Sequence, residues 1–257
     1  MVQGDTDTRV TPTLQPSVYI EQTERVLGER FRLDRVIAAS RERVLFLSFD
    51  RLLHRRVSLR VNIFSDEQYR TWFLTEAKAL AQLDHPAIRH LYDAGMVGDL
   101  AYRVGNWVEG EGLDHAVARG PRPIPAVLRF ARDLLGALEH AHDRGVIIRR
   151  IVPTSVVVGP SSRGVVTDLR FSNHTLEAIP VGISPSGEVF MAPETRNGSA
   201  GDPLSDIYTA GAILYYAVTA QAPPLSPRDL TPPTALRPVC PAILDRVILR
   251  AMAQEPV

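Results

Sequence analysis

The chain has 257 residues, of which 45% are hydrophobic and 23% charged, as expected of a globular protein that can bury a sizeable core. Its 29 basic and 29 acidic residues balance, so bulk charge does not favour a nucleic-acid or membrane-surface partner. The single cysteine, Cys240, excludes an internal disulfide, and no apolar run approaches the roughly 18 residues of a membrane span, which together predict a cytoplasmic protein.

The first 29 residues are predicted to form a flexible leader followed by a short helix. Residues 1–17 are polar and rich in threonine, and such a segment buries too little to order itself. Its threonines at 6, 8, 11 and 13 leave open a second interpretation, in which they accept phosphate. Residues 18–29 have the pattern of an amphipathic helix.

The next part of the chain is predicted to be an antiparallel sheet with one helix. Short β-rich runs begin at Phe31, cover 44–50 and 57–61, and recur at 89–91 and 101–107. Between them, residues 67–83 change to a helical period, which ends at His85-Pro86.

The second half is predicted to be mainly helical. Apolar residues recur at helical spacing over 125–143 and in a last helix over 242–254, while residues 205–220 are apolar nearly all round. Two short apolar runs, 156–158 and 165–166, precede an irregular stretch at 172–190. A sheet followed by helices favours a two-lobed α+β fold.

A series of short motifs resembles those of bacterial serine/threonine protein kinases. They include Leu83-Asp84-His85-Pro86, Met191-Ala192-Pro193-Glu194, and Ile148-Arg149-Arg150 in the frame of the H-R-D catalytic loop. Over residues 30–257 the resemblance implies a kinase-like N-lobe and hinge (30–108) and a C-lobe (109–257) that ends before the usual final helix.

The resemblance also implies an internal structural spine. Kinases stack apolar residues through both lobes and anchor the catalytic loop with a buried aspartate. Here these positions are Leu80, Leu91, Ile148, Leu169 and Asp206.

The positions that carry chemistry depart from the family pattern. Arg150 stands at the place of the catalytic aspartate and cannot accept a proton, and residues 38–43 lack every glycine of the phosphate-binding loop. The degenerate catalytic positions are Ile148, Arg150, Val152, Ser155 and Gly187.

Some nucleotide-binding positions remain recognisable. Arg60 stands at the site of the third-strand lysine, Glu76 at the helix glutamate that pairs with it, Asp168 at the metal-binding aspartate, and Gly105 at the gatekeeper, where it leaves room deeper in the cleft. These remnants imply no cofactor, with weak ATP binding allowed and Mg²⁺ not expected.

These departures predict a pseudokinase: a kinase-like domain without enzymatic activity that binds proteins or regulates allosterically. The alternative is an atypical or weakly active ATP-dependent serine/threonine kinase. The expected partners are a protein or attached domains, with an active kinase as one candidate and no nucleic acid. The cytoplasmic part of a membrane-anchored protein fits the same sequence.

Overall fold

A computed structural model describes residues 16–39, 43–64, 67–169 and 187–253. The helices are α1 (Pro16–Leu27), α2 (Glu67–Ala81), α3 (Leu113–Ala118), α4 (Ile124–His142), α5 (Pro193–Arg196), α6 (Pro203–Thr219), α7 (Pro233–Leu236) and α8 (Ala242–Ala251). The strands are β1 (Phe31–Ala39), β2 (Arg43–Asp50), β3 (Arg55–Ile63), β4 (Leu91–Val97), β5 (Leu100–Asn106), β6 (Glu111–Gly112), β7 (Val156–Val158) and β8 (Gly164–Val166).

The N-terminal lobe is an antiparallel sheet in the order β1-β2-β3-β5-β4. Burial alternates strictly along β2, so Phe46 and its β3 partner Leu59 face one side, where they pack with Tyr19 of α1 in one buried cluster. The adjacent pair, Leu45 and Arg60, therefore points to the opposite side of the sheet, toward the second lobe.

The C-terminal lobe is built around α6, which is buried along nearly its whole length between α4 and α8. Asp202 caps this helix by accepting hydrogen bonds from the backbone N–H groups of Leu204 and Ser205, at 2.8 and 3.0 Å. The cap fixes where the first turn begins, and so fixes where Asp206 sits in that turn.

The two-lobed α+β architecture predicted from the sequence is confirmed, and the helix expected over 18–29 is present as α1. Residues 1–15 of the predicted leader and most of the irregular stretch at 172–190 lie outside the described residues, while the last two leader positions belong to α1. Within the described ranges, no helix combines the length and apolarity needed to cross a membrane.

One strand lies elsewhere than predicted, since β4 runs over Leu91–Val97 and not over 89–91. Its sequence contains Asp93 and Gly95 and has no buried alternation, so it looks like a loop. Pairing with β5 through a tight turn at Gly98, whose φ is +59°, overrides that local preference. The short α3 and β6 were also not predicted.

Candidate functional site

The catalytic-loop frame is held by a buried carboxylate outside the loop. Asp206 has no solvent exposure, and it accepts hydrogen bonds from the backbone N–H groups of Ile148 at 2.8 Å and Arg149 at 2.5 Å. His142 Nε2 lies 2.8 Å from the same carboxylate. Burial raises the pKa of Asp206, and these three neighbours oppose that rise. The loop path is thus set by α6 and by the end of α4.

The degenerate positions line this loop without supplying a carboxylate. Ile148 is fully buried in the C-lobe core, whereas Arg150 and Val152 are half-buried. The Ser155 hydroxyl donates to the Val152 carbonyl at 2.8 Å and accepts from its N–H at 3.0 Å, so Ser155 closes a local turn. Gly187 is buried at the start of a 3-10 helix, Gly187–Phe190.

Asp168 lies just after β8 and ties the two lobes together. Its carboxylate accepts a hydrogen bond from Arg43 of β2 at 2.8 Å and a second from Arg60 of β3. The carboxylate side chain is only 11% exposed, so both charge-assisted bonds lie in a partly desolvated cleft. The surviving acidic position therefore already holds two cations from the opposite lobe.

Glu76 of α2 has an arginine partner that the sequence did not reveal. Arg103 of β5 donates to the Glu76 carboxylate at 2.7 Å, and its guanidinium also lies 4.5 Å from the centre of the Phe73 ring. Burial lowers the pKa of Arg103, while Glu76 raises it. An arginine inside a β strand looks like a solvent-facing residue, which explains why it was missed.

The room expected beside Gly105 is narrowed by another arginine. A Cβ at Gly105 would lie 3.1 Å from the Cγ and Cδ atoms of Arg89 and 2.7 Å from the His90 carbonyl oxygen. The Arg89 stem therefore narrows the room expected at this position, and a cavity of about 40 Å³ remains beside Gly105. Across the strand, the Ser58 hydroxyl is within hydrogen-bond distance of the Gly105 and Asn106 carbonyls, at 3.2 and 3.3 Å.

Arg89 brings a charge into the cleft that no described residue pairs by a hydrogen bond. Burial lowers its pKa to about 10; the nearby charge of Arg60 also lowers the pKa, and Asp168 raises it. Its Nε is buried with no hydrogen-bond partner, and no hydrogen bond or ion pair links its guanidinium to any residue that the structure describes. At neutral pH this partly buried group remains protonated.

The predicted spine residues are only partly brought together. Leu80, Leu91 and Leu169 line one cavity of about 40 Å³ behind Gly105. Ile148 is fully buried in the C-lobe core, with Asp206 holding its backbone N–H. Their joint role as a spine stays a prediction.

The described residues do not fit the Mg²⁺ site that the resemblance implies. Mg²⁺ takes oxygen ligands in near-octahedral geometry and usually needs one or two carboxylates in addition to substrate phosphates. Both Asp168 oxygens accept from guanidinium groups, and the Ser155 hydroxyl is engaged with Val152. No group of three or more His, Cys, Asp or Glu side chains able to hold a metal occurs in the described part of the chain.

Comparison with known proteins identifies the fold and the family. A family model of the protein kinase domain matches residues 58–232. The chain is 28% identical over 251 residues to the serine/threonine-protein kinase PrkC of Bacillus subtilis, covering 91% of this chain and 38% of PrkC. It is 30% identical over 253 residues to PknA of Mycobacterium tuberculosis, covering 90% of this chain and 58% of PknA.

A solved structure shows the same fold. The kinase domain of Mycobacterium tuberculosis PknI, crystallised as a cysteine-to-alanine mutant, superposes with a TM-score of 0.71 at 24% identity, covering 88% of each chain. The chain spans only about 38–58% of the length of the curated relatives named here.

These matches correct two predictions. The prediction that the chain is not an enzyme is wrong, because the matching family is the protein kinase domain and the relatives carry the names of serine/threonine kinases. The prediction of no cofactor does not fit either, since kinases of this family use ATP and Mg²⁺. With a family model matched over more than half its length, the chain belongs to the protein kinase domain family, among relatives of the bacterial serine/threonine type.

Proposed function

We propose that this chain is the kinase domain of an atypical, weakly active, ATP-dependent serine/threonine protein kinase. The observation that carries the proposal is the contact between Arg60 and Asp168. In the family, the residues at these two positions bind the phosphates and their metal ion. Arg60 comes from the N-lobe and Asp168 from the C-lobe. The family match and the names of the relatives support the same activity.

The rate is expected to be low because the base position has been lost. A positioned proton acceptor contributes about 10²–10⁴-fold to a rate. Arg150 has only donors, so a substrate hydroxyl would have to lose its proton to solvent or to the phosphate itself. What remains for this chain is binding and orientation, which account for most of the catalysis of phosphoryl transfer.

We assign the nucleotide to the cleft between residues 30–108 and 109–257. The base would lie against the hinge, residues 104–110, with Ser58 above it and Gly105 behind it. The phosphates would lie toward Arg60 and Asp168, while Glu76 is held in place by Arg103. The leucines at 80, 91 and 169, with Ile148 and Asp206, are proposed to support this cleft without touching the substrate.

The test is transfer of labelled phosphate from ATP to a serine/threonine protein substrate or to the chain itself. We expect slow transfer that Asp168→Asn abolishes and that the exposed control Asp229→Asn leaves unchanged. If the wild type transfers phosphate no faster than the Asp168→Asn variant, the proposal is contradicted. Because contaminating kinases give false signals, the wild type and both variants must be purified identically.

A second, regulatory role is proposed from the ion pair between Arg43 and Asp168. This contact bridges the lobes, and a cleft that opens and closes is a two-state element that a partner can bias. The partner would be an attached domain or another kinase of the family. Mixing this chain with an active family kinase should change that enzyme's rate, and Arg43→Gln should alter the size of the change. No change at saturating concentrations would contradict the role.

A further inference from the structure

Three arginines converge on one cavity in the cleft. Arg43, Arg60 and Arg89 line a space of about 130 Å³ together with Thr154, Thr167 and Asp168. A single water needs only about 10–15 Å³, so the cavity has room for a group of several heavy atoms. Among these lining residues, three positive charges face one negative charge.

The charge of Arg89 has no explanation in the described residues around it. Asp168 accepts from Arg43 and Arg60, whereas the Arg89 guanidinium has no hydrogen-bonded carboxylate among the described residues. A partly buried cation with no hydrogen-bonded anion among the described residues is costly, and an apolar side chain at this position would avoid that cost. Its stem does fill the space beside Gly105, but a methionine would fill that space without the charge.

A phosphate group matches what the cavity offers. Guanidinium groups bind phosphate oxygens through paired, charge-assisted hydrogen bonds, and arginine is the residue best shaped for this contact. Asp168 then acts as an internal anion that holds Arg43 and Arg60 in place until phosphate arrives. Since Arg43 and Arg60 already bind both oxygens of Asp168, this carboxylate is not available to a divalent cation.

We propose that this cavity binds the phosphates of a nucleotide or an inorganic polyphosphate directly through Arg43, Arg60 and Arg89, without a divalent cation. The inference rests on the proposed ATP binding in the same cleft, and it concerns how the phosphates are held. It assigns the role of a binding residue to Arg89. This residue lies outside every family motif singled out in the sequence.

Titration calorimetry in EDTA tests the proposal, with ATP, inorganic triphosphate and adenosine as probes. We expect ATP to bind without metal, and Arg89→Met to weaken it by about 10- to 100-fold, the loss of one charge-assisted bond. Arg89→Lys should lose less. The matched control is Arg129→Met, which removes one exposed positive charge from α4. It should leave binding unchanged.

The free protein supplies an independent readout. Arg89→Met should raise the Tm by at least about 2 °C, since it removes a partly buried charge that no described residue pairs by a hydrogen bond and keeps the stem. A gain in stability with a loss of phosphate affinity is the signature of a binding residue. A structural residue would lower the Tm and leave the affinity unchanged, and that result would overturn the proposal.

The probes separate the two sources of phosphate and the two proposals. If triphosphate binds as tightly as ATP, the cavity is a polyphosphate site. If ATP binds and triphosphate does not, it is a nucleotide site. Both results support the inference. Binding that requires Mg²⁺, or that Arg89→Met leaves unchanged, overturns it. If the chain transfers phosphate but does not bind ATP without metal, the proposed function stands and this inference is refuted. If it binds ATP without metal but transfers no phosphate, this inference stands and the proposed function is refuted.

Discussion

At the scale of single residues, Gly105 and Arg89 have to be considered together. The missing side chain of one makes room for the stem of the other, and the backbone of β5 comes close to the His90 carbonyl at the same point. At Gly105 the cleft is therefore lined by an arginine stem in addition to leucine side chains. A glycine in a central strand and an arginine in the cleft are each unusual, and the close contact between them accounts for both.

Gly105→Ala is expected to destabilise the protein by about 1–3 kcal/mol, because the new Cβ would meet a backbone carbonyl that cannot move aside easily. The matched control is Gly136→Ala in α4, where the Cβ would lie 3.5 Å from the end of the His85 side chain. This change should stabilise by about 0.5–1 kcal/mol, since alanine is the better helix former. Urea unfolding measures both changes, and equal effects would contradict the packing described for Gly105.

At the scale of elements, α6 determines the conformation of a loop more than 50 residues earlier in the chain. Its first turn carries Asp206, which collects the two backbone N–H groups of the loop and His142 of α4. Arg149 has a φ of +64°, a conformation that non-glycine residues rarely adopt. The anchor supplies the hydrogen bonds that offset this strain.

Asp206→Ala should lower the free energy of unfolding by about 2–4 kcal/mol. It leaves two backbone N–H groups at the buried anchor without their acceptor, and each such loss costs about 1–3 kcal/mol. Asp229→Ala, at an exposed aspartate of the same lobe, should change stability by less than about 0.5 kcal/mol. Urea midpoints at neutral pH measure the difference. If the two variants unfolded alike, Asp206 could not be the anchor.

At the scale of the whole molecule, the lobes are joined at the cleft by charge as well as by backbone. The N–H of Arg89 donates to the Val166 carbonyl at 2.8 Å, and the Val166 N–H donates to the Ala87 carbonyl at 2.8 Å. The ion pair of Arg43 with Asp168 adds a side-chain link on the open side of the cleft. The backbone link uses groups that a ligand does not replace, whereas the Asp168 carboxylate can exchange Arg43 for another partner.

Arg43→Gln is expected to widen the range of distances between the lobes and to lower stability by about 1 kcal/mol. Pairs of spin labels at Leu52→Cys and Leu128→Cys, both on exposed sites, report the distance distribution. The native Cys240 is buried, so the labels should react selectively at the new cysteines. Arg35→Gln, an exposed change on β1, is the control. An unchanged distribution in Arg43→Gln would show that the ion pair does not restrain the lobes.

The fold could be predicted from the sequence because motif order and hydrophobic period agreed. The apolar run of α6 and the alternation of β2 identify buried elements directly. The β4 strand could not be located, since its residues favour a loop and only pairing with β5 makes it a strand. Local sequence does not contain that long-range information.

The candidate site was predicted only in part. Asp168, Arg60 and Glu76 were found from their motif positions, but their partners were not, because Arg43 and Arg103 are recognisable only once the strands are paired. Arg89 belongs to no motif and precedes β4, so its place in the cleft is recognisable only from the folded structure. The motif departures led to the wrong conclusion about activity, since they describe which groups are absent and not which groups have replaced them.

The anchoring of the catalytic-loop frame by Asp206 bears on how such a domain evolves. Because the carboxylate binds the backbone N–H groups of Ile148 and Arg149, this anchor does not depend on which side chain stands at 150 or 152. The start of the loop is therefore robust to mutation at those two positions. This separation lets a lineage explore new cleft chemistries, such as an arginine cluster, without first losing the fold.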